Sequence, residues 1–398
     1  MRRAILGTSA AVFATAAMVA AVPASATSAA TSTPVTSTTS DVDRKGAAAN
    51  VRMNQIQYMG AHNGYHRELS DKEKVVQLQL DKGARNLYYS HATIDQMLSH
   101  QGIRGIELDL YPDPQGGLYT KPLVRTMAGL GPITDPDMAK PGIKVLHMSD
   151  FDYRTTCATF VRCLQQVQDW SRRNPNHAPI ALQLELKSSD KRAVAAGGVQ
   201  SPPWDAAQLD TIDDEIRSVF AGDKIITPDS VRRDKRRTLE QNVLTKGWPL
   251  LKDARGKVFF FFDNGGPGAI RDAYTKGRPN LEGRAVFTRG TEGSPDAAIT
   301  MVNDPRGANA AQITRLVRKG YVVRTRSDEP LATIDQEDYS RLPISLASGA
   351  QLVTTDFPAE GMAARWDSDF VAKLPEGFPV RCNPVNAPRS CVTSKLGG

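Results

Sequence analysis

Eight apolar runs of strand length, separated by stretches of helical character, constrain this sequence more than any other feature. They span residues 55–61, 103–110, 144–148, 180–186, 257–262, either 285–289 or 299–303, 321–326 and 351–355. Helical patterns occupy residues 75–82, 92–99, 160–174, 204–220, 310–318 and 343–348. Continuously apolar strands are buried on both faces, as in parallel sheets, and their alternation with helices makes βαβ units. Eight such units in a chain of this length predict a (β/α)8 TIM barrel. A doubly wound open sheet is the alternative, but no GxGxxG follows the first run. Residues 64–102 and 112–141 exceed ordinary βα loops. The first stretch is expected to hold one or two helices of a rim, the second a small hairpin.

Four of the runs end in polar islands: His62-Asn63, Glu107-Leu108-Asp109, His147 and Glu185-Leu186-Lys187. On parallel barrel strands all four emerge on one rim. Glu107 and Asp109 flank Leu108, so a period of two points both carboxylates to the same side. Facing apolar helices they would be very costly; facing the axis they repel unless a cation lies between them. Glu185 repeats the pattern, with Lys187 on its side. The alternative is a salt-bridge cluster with Lys187 or Arg104 as partners. Asn63, Glu107, Asp109 and Glu185 offer hard oxygens and no thiolate, which favours Ca²⁺, then Mg²⁺, then Zn²⁺. His62 and His147, each closing a run on that rim, are the candidate acid–base pair. His66 resembles half of an HExxH motif, but the Glu is missing and Gly64 weakens a helix. His91, His100 and His177 read as surface or structural. Asp263 ends the Phe-rich run and is a candidate substrate contact. Arg324 and Arg326 share one side of a late strand and are candidates for phosphate or hydroxyl binding. Asp356 ends the last run and is a weaker candidate. No GxSxG or P-loop is present.

The chain opens with Met1-Arg2-Arg3, an apolar alanine-rich stretch and Ala24-Ser25-Ala26. This reads as a signal peptide cut after about Ala26, hence a secreted protein. Residues 27–50, rich in Ser, Thr and Ala, are expected to be a disordered leader. Residues 51–398 then form one catalytic domain. Export makes the four cysteines candidates for disulfides, and local pairing, Cys157–Cys163 with Cys382–Cys391, asks least of the fold. There is no CxxC.

A sequence pI near 9.2 implies attraction to anionic surfaces. The densest basic run is Arg232-Arg233-Asp234-Lys235-Arg236-Arg237. It reads as a solvated helix face or as a contact for anionic headgroups. No zinc finger or RRM-like motif is seen and aromatics do not interleave the basic residues, so no nucleic-acid partner is expected.

Gly60-Ala61-His62-Asn63-Gly64-Tyr65-His66 resembles the GSHNSYH-type opening of the secreted bacterial calcium-dependent phosphoinositide phospholipase C family, within the PLC-like phosphodiesterase superfamily. Ile106-Glu107-Leu108-Asp109, Val145-Leu146-His147, Leu184-Glu185-Leu186-Lys187, Val322-Val323-Arg324-Thr325-Arg326 and Thr354-Thr355-Asp356-Phe357-Pro358 resemble its later blocks. Ala61 and Gly64 stand where the usual opening has serines. Glycerophosphodiester phosphodiesterases share the E-x-D, His and E-x-K blocks but usually open with His-Arg. The resemblance implies Ca²⁺ held by Asn63, Glu107, Asp109 and Glu185, with attack of an inositol hydroxyl on phosphorus. It implies His147 as general acid, His62 as base or phosphoryl stabiliser, and Lys187 and Arg326 on phosphate or headgroup. The partner would be a phospholipid at a membrane surface, met peripherally by a monomer. A glycerophosphodiesterase or a non-catalytic headgroup-binding protein on the same barrel is the alternative.

Overall fold

The computed structural model describes residues 50–397. The expected signal peptide and nearly all of the expected leader lie outside the described residues. Ten strands form one sheet: β1 (Ile56–Ala61), β2 (Gly105–Tyr111), β3 (Lys144–Val145), β4 (Ile180–Leu186), β5 (Val258–Phe262), β6 (Val286–Phe287), β7 (Ile299–Met301), β8 (Val322–Arg326), β9 (Leu352–Thr355) and β10 (Val380–Cys382). Eight pair in the order β6-β5-β4-β2-β1-β9-β8-β7, every neighbouring pair parallel. A parallel bridge from Arg289, just past β6, to Ile299 joins the two ends. The sheet is therefore the eight-stranded parallel barrel that the alternation of runs and helices predicts.

One stave differs from expectation. Residues 144–148 do not form a barrel strand. Only Lys144 and Val145 are extended, and they run antiparallel to the end of β2, with Leu110 opposite Val145 and Tyr111 opposite Lys144. The run is short and follows Pro141-Gly142, so the chain returns along the upper end of β2 without descending through the barrel. The missing stave is supplied because 286–287 and 299–301, which the sequence offers as alternatives, are both strands. Residues 112–141 carry two short helices, Leu123–Met127 and Pro136–Ala139, in place of the expected hairpin.

The principal helices are α1 (Asp71–Leu80), α2 (Ile94–His100), α3 (Phe160–Arg173), α4 (Ala206–Val219), α5 (Leu239–Thr245), α6 (Ala269–Thr275), α7 (Ala308–Lys319) and α8 (Arg341–Ser348). Their ends follow from local sequence. Thr93 and Gln96 exchange side-chain and backbone hydrogen bonds to start α2, a reciprocal cap that satisfies otherwise orphaned N–H groups. Gly320, at φ 109°, ends α7 in the left-handed region open to glycine. On α3 the buried positions Phe160, Cys163, Leu164, Val167 and Trp170 recur at helical spacing. Inside the barrel, Gly60 and Gly105 are register partners on β1 and β2. A Cβ on either would approach Leu352 Cδ1 to 2.6 or 2.4 Å, so the two glycines make room for that side chain.

Cys157–Cys163 and Cys382–Cys391 are both bonded, the local pairing expected from spacing. β10 runs antiparallel to the lower half of β1, beneath the start of β2, with Ile56 opposite Cys382. The tail thus covers the bottom of the barrel, the end at which strands begin. The basic run 232–237 is also at that end, in the segment that precedes β5. Its side chains are used locally: Arg232 on Glu282, Arg233 on the Lys246 and Gly247 carbonyls, Lys235 on Asp229. It lies opposite the polar islands.

Candidate active site

The islands meet at the ends of the strands, the face on which (β/α)8 barrels carry their chemistry. Asp109 on β2 and Glu185 on β4 are register partners, as are Glu107 and Gln183. Alternation then turns Glu107, Asp109, Gln183 and Glu185 inward together. Asp263 follows β5, and its carboxylate accepts from Gln183 Nε2 at 2.8 Å. Oxygens of Glu107, Glu185 and Asp263 lie within 4.8 Å of one another. The structure therefore places Asp263 in the acidic cluster.

Two cations face this cluster. Lys187 Nζ is 3.2 Å from Asp109 Oδ2 and 3.2 Å from Glu185 Oε1. Arg324 donates to Glu107 Oε2 at 3.1 Å and to Asn303 Oδ1. Arg104 takes no part; it binds the Leu98 and Ile103 carbonyls and stacks on Trp170. With all four carboxylates ionised, two cations leave two negative charges unmatched. Burial and mutual repulsion push Glu185 up to about 7 and Glu107 well above the carboxylate range, with Lys187 and Arg324 opposing. The same carboxylates raise Lys187 against the effect of burial.

Asn63 completes the arrangement. It adopts φ 46°, which Asn tolerates better than most residues. Its Nδ2 donates to the Tyr89 hydroxyl at 3.2 Å, which turns Oδ1 the other way. That Oδ1, Asp109 Oδ1 and Gln183 Oε1 are buried with no hydrogen-bond partner, and Asp109 Oδ2 has only the Lys187 ammonium beside it. Buried acceptors left unpaired are costly. Orphaned oxygens, an all-oxygen donor set and a deficit of two positive charges fit a hard divalent cation such as Ca²⁺.

Two imidazole–carboxylate pairs flank the cluster. His62 Nδ1 donates to Asp356 Oδ1 at 2.8 Å, leaving Nε2 4.0 Å from Glu107 Oε2. Asp356 also accepts from Arg326 at 2.9 Å. Burial and the neighbouring Arg326 push His62 down to about 3, with Asp356 opposing, so the ring is neutral. Asp356 is held below the carboxylate range although burial alone would raise it. With His62 neutral, Arg326 and the Nδ1–H bond sustain that shift. On the other side, His147 Nδ1 donates to Asp152 Oδ2 at 2.8 Å. Burial alone would lower His147, but Asp152 raises it. Asp152 itself is drawn down to about 2, against burial, by His66 and His147. His66 Nε2 lies 2.7 Å from the same Asp152 oxygen, and its Nδ1 donates to the Tyr89 carbonyl.

All ten candidate residues thus gather on one rim: His62, Asn63, Glu107, Asp109, His147, Glu185, Lys187, Asp263, Arg324 and Arg326. His147 reaches it from the loop after β3, not from a barrel stave. Asp152 was missed in the sequence; the acidic stretch Ser149-Asp150-Phe151-Asp152 just after His147 is the signal that could have found it. Tyr89 has no such signal. His66 and His91 are buried, and His91 Nε2 bonds the His62 carbonyl at 2.8 Å.

An eight-stranded barrel with an acidic cluster between two imidazole–carboxylate pairs defines the class in structural terms. The chain belongs to the calcium-dependent phosphoinositide phospholipase C family, whose model matches residues 51–384. Among solved structures it is similar to a calcium-dependent phosphoinositol-specific phospholipase C from a Gram-negative Pseudomonas species. The identity is 17%, over 84% of this chain and 96% of that one, with a TM-score of 0.49. It is also similar to a Ca²⁺-dependent phosphatidylinositol-specific phospholipase C from Streptomyces antibioticus. There the identity is 16%, over 77% of this chain and 95% of that one, with a TM-score of 0.47. No curated protein matches.

Proposed function

We propose that the protein is an exported phosphatidylinositol-specific phospholipase C, acting as a monomer at a membrane surface. It would release diacylglycerol and a cyclic inositol phosphate. The observation that carries this reading is the placement of two imidazole–carboxylate pairs, His62–Asp356 and His147–Asp152, on either side of one acidic cluster. Titratable groups pushed apart by their surroundings divide into acid and base.

Asn63, Glu107, Asp109 and Glu185 would hold Ca²⁺, with Asp263 adjoining. When bound there, the ion supplies charge stabilisation at phosphate and acidifies a coordinated hydroxyl. His62, neutral and fixed through Nδ1 by Asp356, presents Nε2 to accept the proton of the attacking inositol hydroxyl. His147, whose protonated form Asp152 favours, gives a proton to the departing diacylglycerol oxygen. One O–P bond forms within the headgroup and one P–O bond to diacylglycerol breaks. Lys187, Arg324 and Arg326 supply positive charge for the phosphoryl oxygens. The two disulfides suit an oxidising compartment outside the cytosol.

A ³¹P NMR time course of phosphatidylinositol digestion, with calcium and with chelator, tests the reading. The expected first product is a cyclic inositol phosphate, formed only with calcium. Phosphatidylcholine, which has no hydroxyl placed to attack, is expected to remain intact. An open phosphomonoester as first product, or rapid turnover of glycerophosphocholine, would replace this reading with a glycerophosphodiesterase.

A further inference from the structure

We propose that Tyr89 is the positioning residue that lets Asn63 present its oxygen, and not its amide nitrogen, to the acidic cluster, and so sets the protein's affinity for calcium. The proposal rests on the calcium-dependent phospholipase reading and adds to it a residue outside the ligand set.

The backbone on both sides of this contact is fixed. His62 N–H bonds the Thr355 carbonyl at 2.9 Å, and Gly64 N–H bonds the Glu107 carbonyl at 3.0 Å. Asn63, between them, keeps only its side-chain torsions. Tyr89 comes from the excursion after β1, between a short 3₁₀ helix (Lys82–Leu87) and α2. Its neighbours are tied down: Glu68 N–H bonds Ser90 Oγ at 3.1 Å, and His91 N–H bonds the His66 carbonyl at 3.0 Å. The Tyr89 ring packs on His66, with centroids 4.5 Å apart, and meets His91 edge-on at 5.4 Å. The hydroxyl therefore reaches Asn63 from a fixed seat.

An amide side chain has one acceptor end and one donor end. Oδ1 can serve a cation only while Nδ2 has an acceptor elsewhere, because a buried donor left unpaired is costly. Among the described residues the Tyr89 hydroxyl is the one acceptor that Nδ2 bonds. Without it the amide gains by turning over, since Asp109 Oδ1 and Gln183 Oε1 are acceptors without partners. A donor would then face the cluster where the ion needs an oxygen. Loss of the hydroxyl thus penalises the calcium-bound form and favours the calcium-free one. Phenylalanine keeps the ring and the carbonyl that hold His66, and through His66 the Asp152 side of the site.

The test is calorimetric titration of the full chain with calcium alone, in the absence of lipid. Tyr89→Phe is expected to raise the calcium Kd by roughly 10–100-fold, the usual effect of losing a group that orients a metal ligand. Its melting temperature in chelator should match that of wild type. At saturating calcium its kcat on phosphatidylinositol should return to within about threefold of wild type, because the defect lies in binding the ion. Asn63→Asp has no donor end, so in that background Tyr89→Phe should cost about threefold or less in Kd. An unchanged Kd in Tyr89→Phe overturns the proposal alone. So does an equal cost in the Asn63→Asp background, which would show that the hydroxyl acts on the fold and not on the amide. A wild type that binds no calcium overturns the calcium reading, and this inference with it.

Discussion

Asp109 and Glu185 sit side by side on adjacent parallel strands, and one ammonium, Lys187 Nζ, lies 3.2 Å from an oxygen of each. That single cation cannot balance the cluster, because Glu107 and Asp263 crowd the same space. Calcium is therefore expected to raise the thermal midpoint. The gain is about 2.7 kcal/mol at a hundredfold excess over Kd. Asp109→Asn should lose most of this calcium response while melting at or above the wild-type temperature in chelator, since it removes a repelling charge. An Asp109→Asn protein that keeps the full calcium shift would remove Asp109 from the ligand set.

Asp152 acts through His147. Asp152→Asn is expected to lower kcat on phosphatidylinositol by roughly 10²–10⁴, the usual worth of a positioned acid. Much of the loss should return with a substrate whose leaving group needs no protonation. The alkaline limb of the pH profile should also move to lower pH, because the carboxylate that raises His147 is gone. His147→Ala should show the same loss and the same rescue but lack that limb altogether, and His62→Ala should lose activity on both substrates. His100, exposed at the end of α2, is the proper control. His91 is not, since it holds the His62 carbonyl.

Glu215 gives a pH dependence of stability away from the site. Its Oε1 accepts from the Ile143 N–H at 2.9 Å, while Oε2 is buried without a partner. Burial pushes the carboxyl up to about 7, with Ile143 N–H and Lys144 opposing. Folding thus favours the protonated form. The advantage is complete below the unfolded pKa near 4.5 and is lost as pH rises to about 7. Glu215→Gln should flatten this slope and stabilise the protein above pH 7 by about 1–3 kcal/mol. Denaturant titrations at pH 5 and pH 8 measure it; equal slopes for both proteins would refute the assignment.

The two disulfides should separate in their effects. Both close short loops, so each is worth about 2–3 kcal/mol or less. Cys382→Ser/Cys391→Ser should lower the melting temperature with kcat unchanged. Cys157→Ser/Cys163→Ser should also lower kcat, because Cys157 ties the loop carrying Asp152 to the start of α3. Equal kcat in the two variants would show that the loop holds itself.

Much of this was legible in the sequence because apolar runs and charged interruptions within them are local. Glu107, Asp109 and Glu185 announce themselves by standing where a buried strand cannot tolerate unpaired charge. The course of residues 144–148 was not legible, since three apolar residues after Pro141-Gly142 suit a barrel stave or a short antiparallel return equally well. The pairing of His147 with Asp152 depends on a tight loop, and that of Asn63 with Tyr89 spans 26 residues. Such partners are set by tertiary approach and leave no period to read. The missing sixth or seventh stave was an accounting matter: two segments were offered for one place, and the barrel uses both.

The covering of the barrel's lower end by the tail has a practical consequence. Leu251 N–H bonds the Val51 carbonyl, Asn383 N–H bonds that of Gln55, and Arg255 holds that of Leu396. Both ends of the described chain are therefore moored together at the pole farthest from His62 and His147. An affinity tag, a fluorophore or a solid support attached through either end would leave the opposite pole unobstructed, and an immobilised protein would present that pole outward by default.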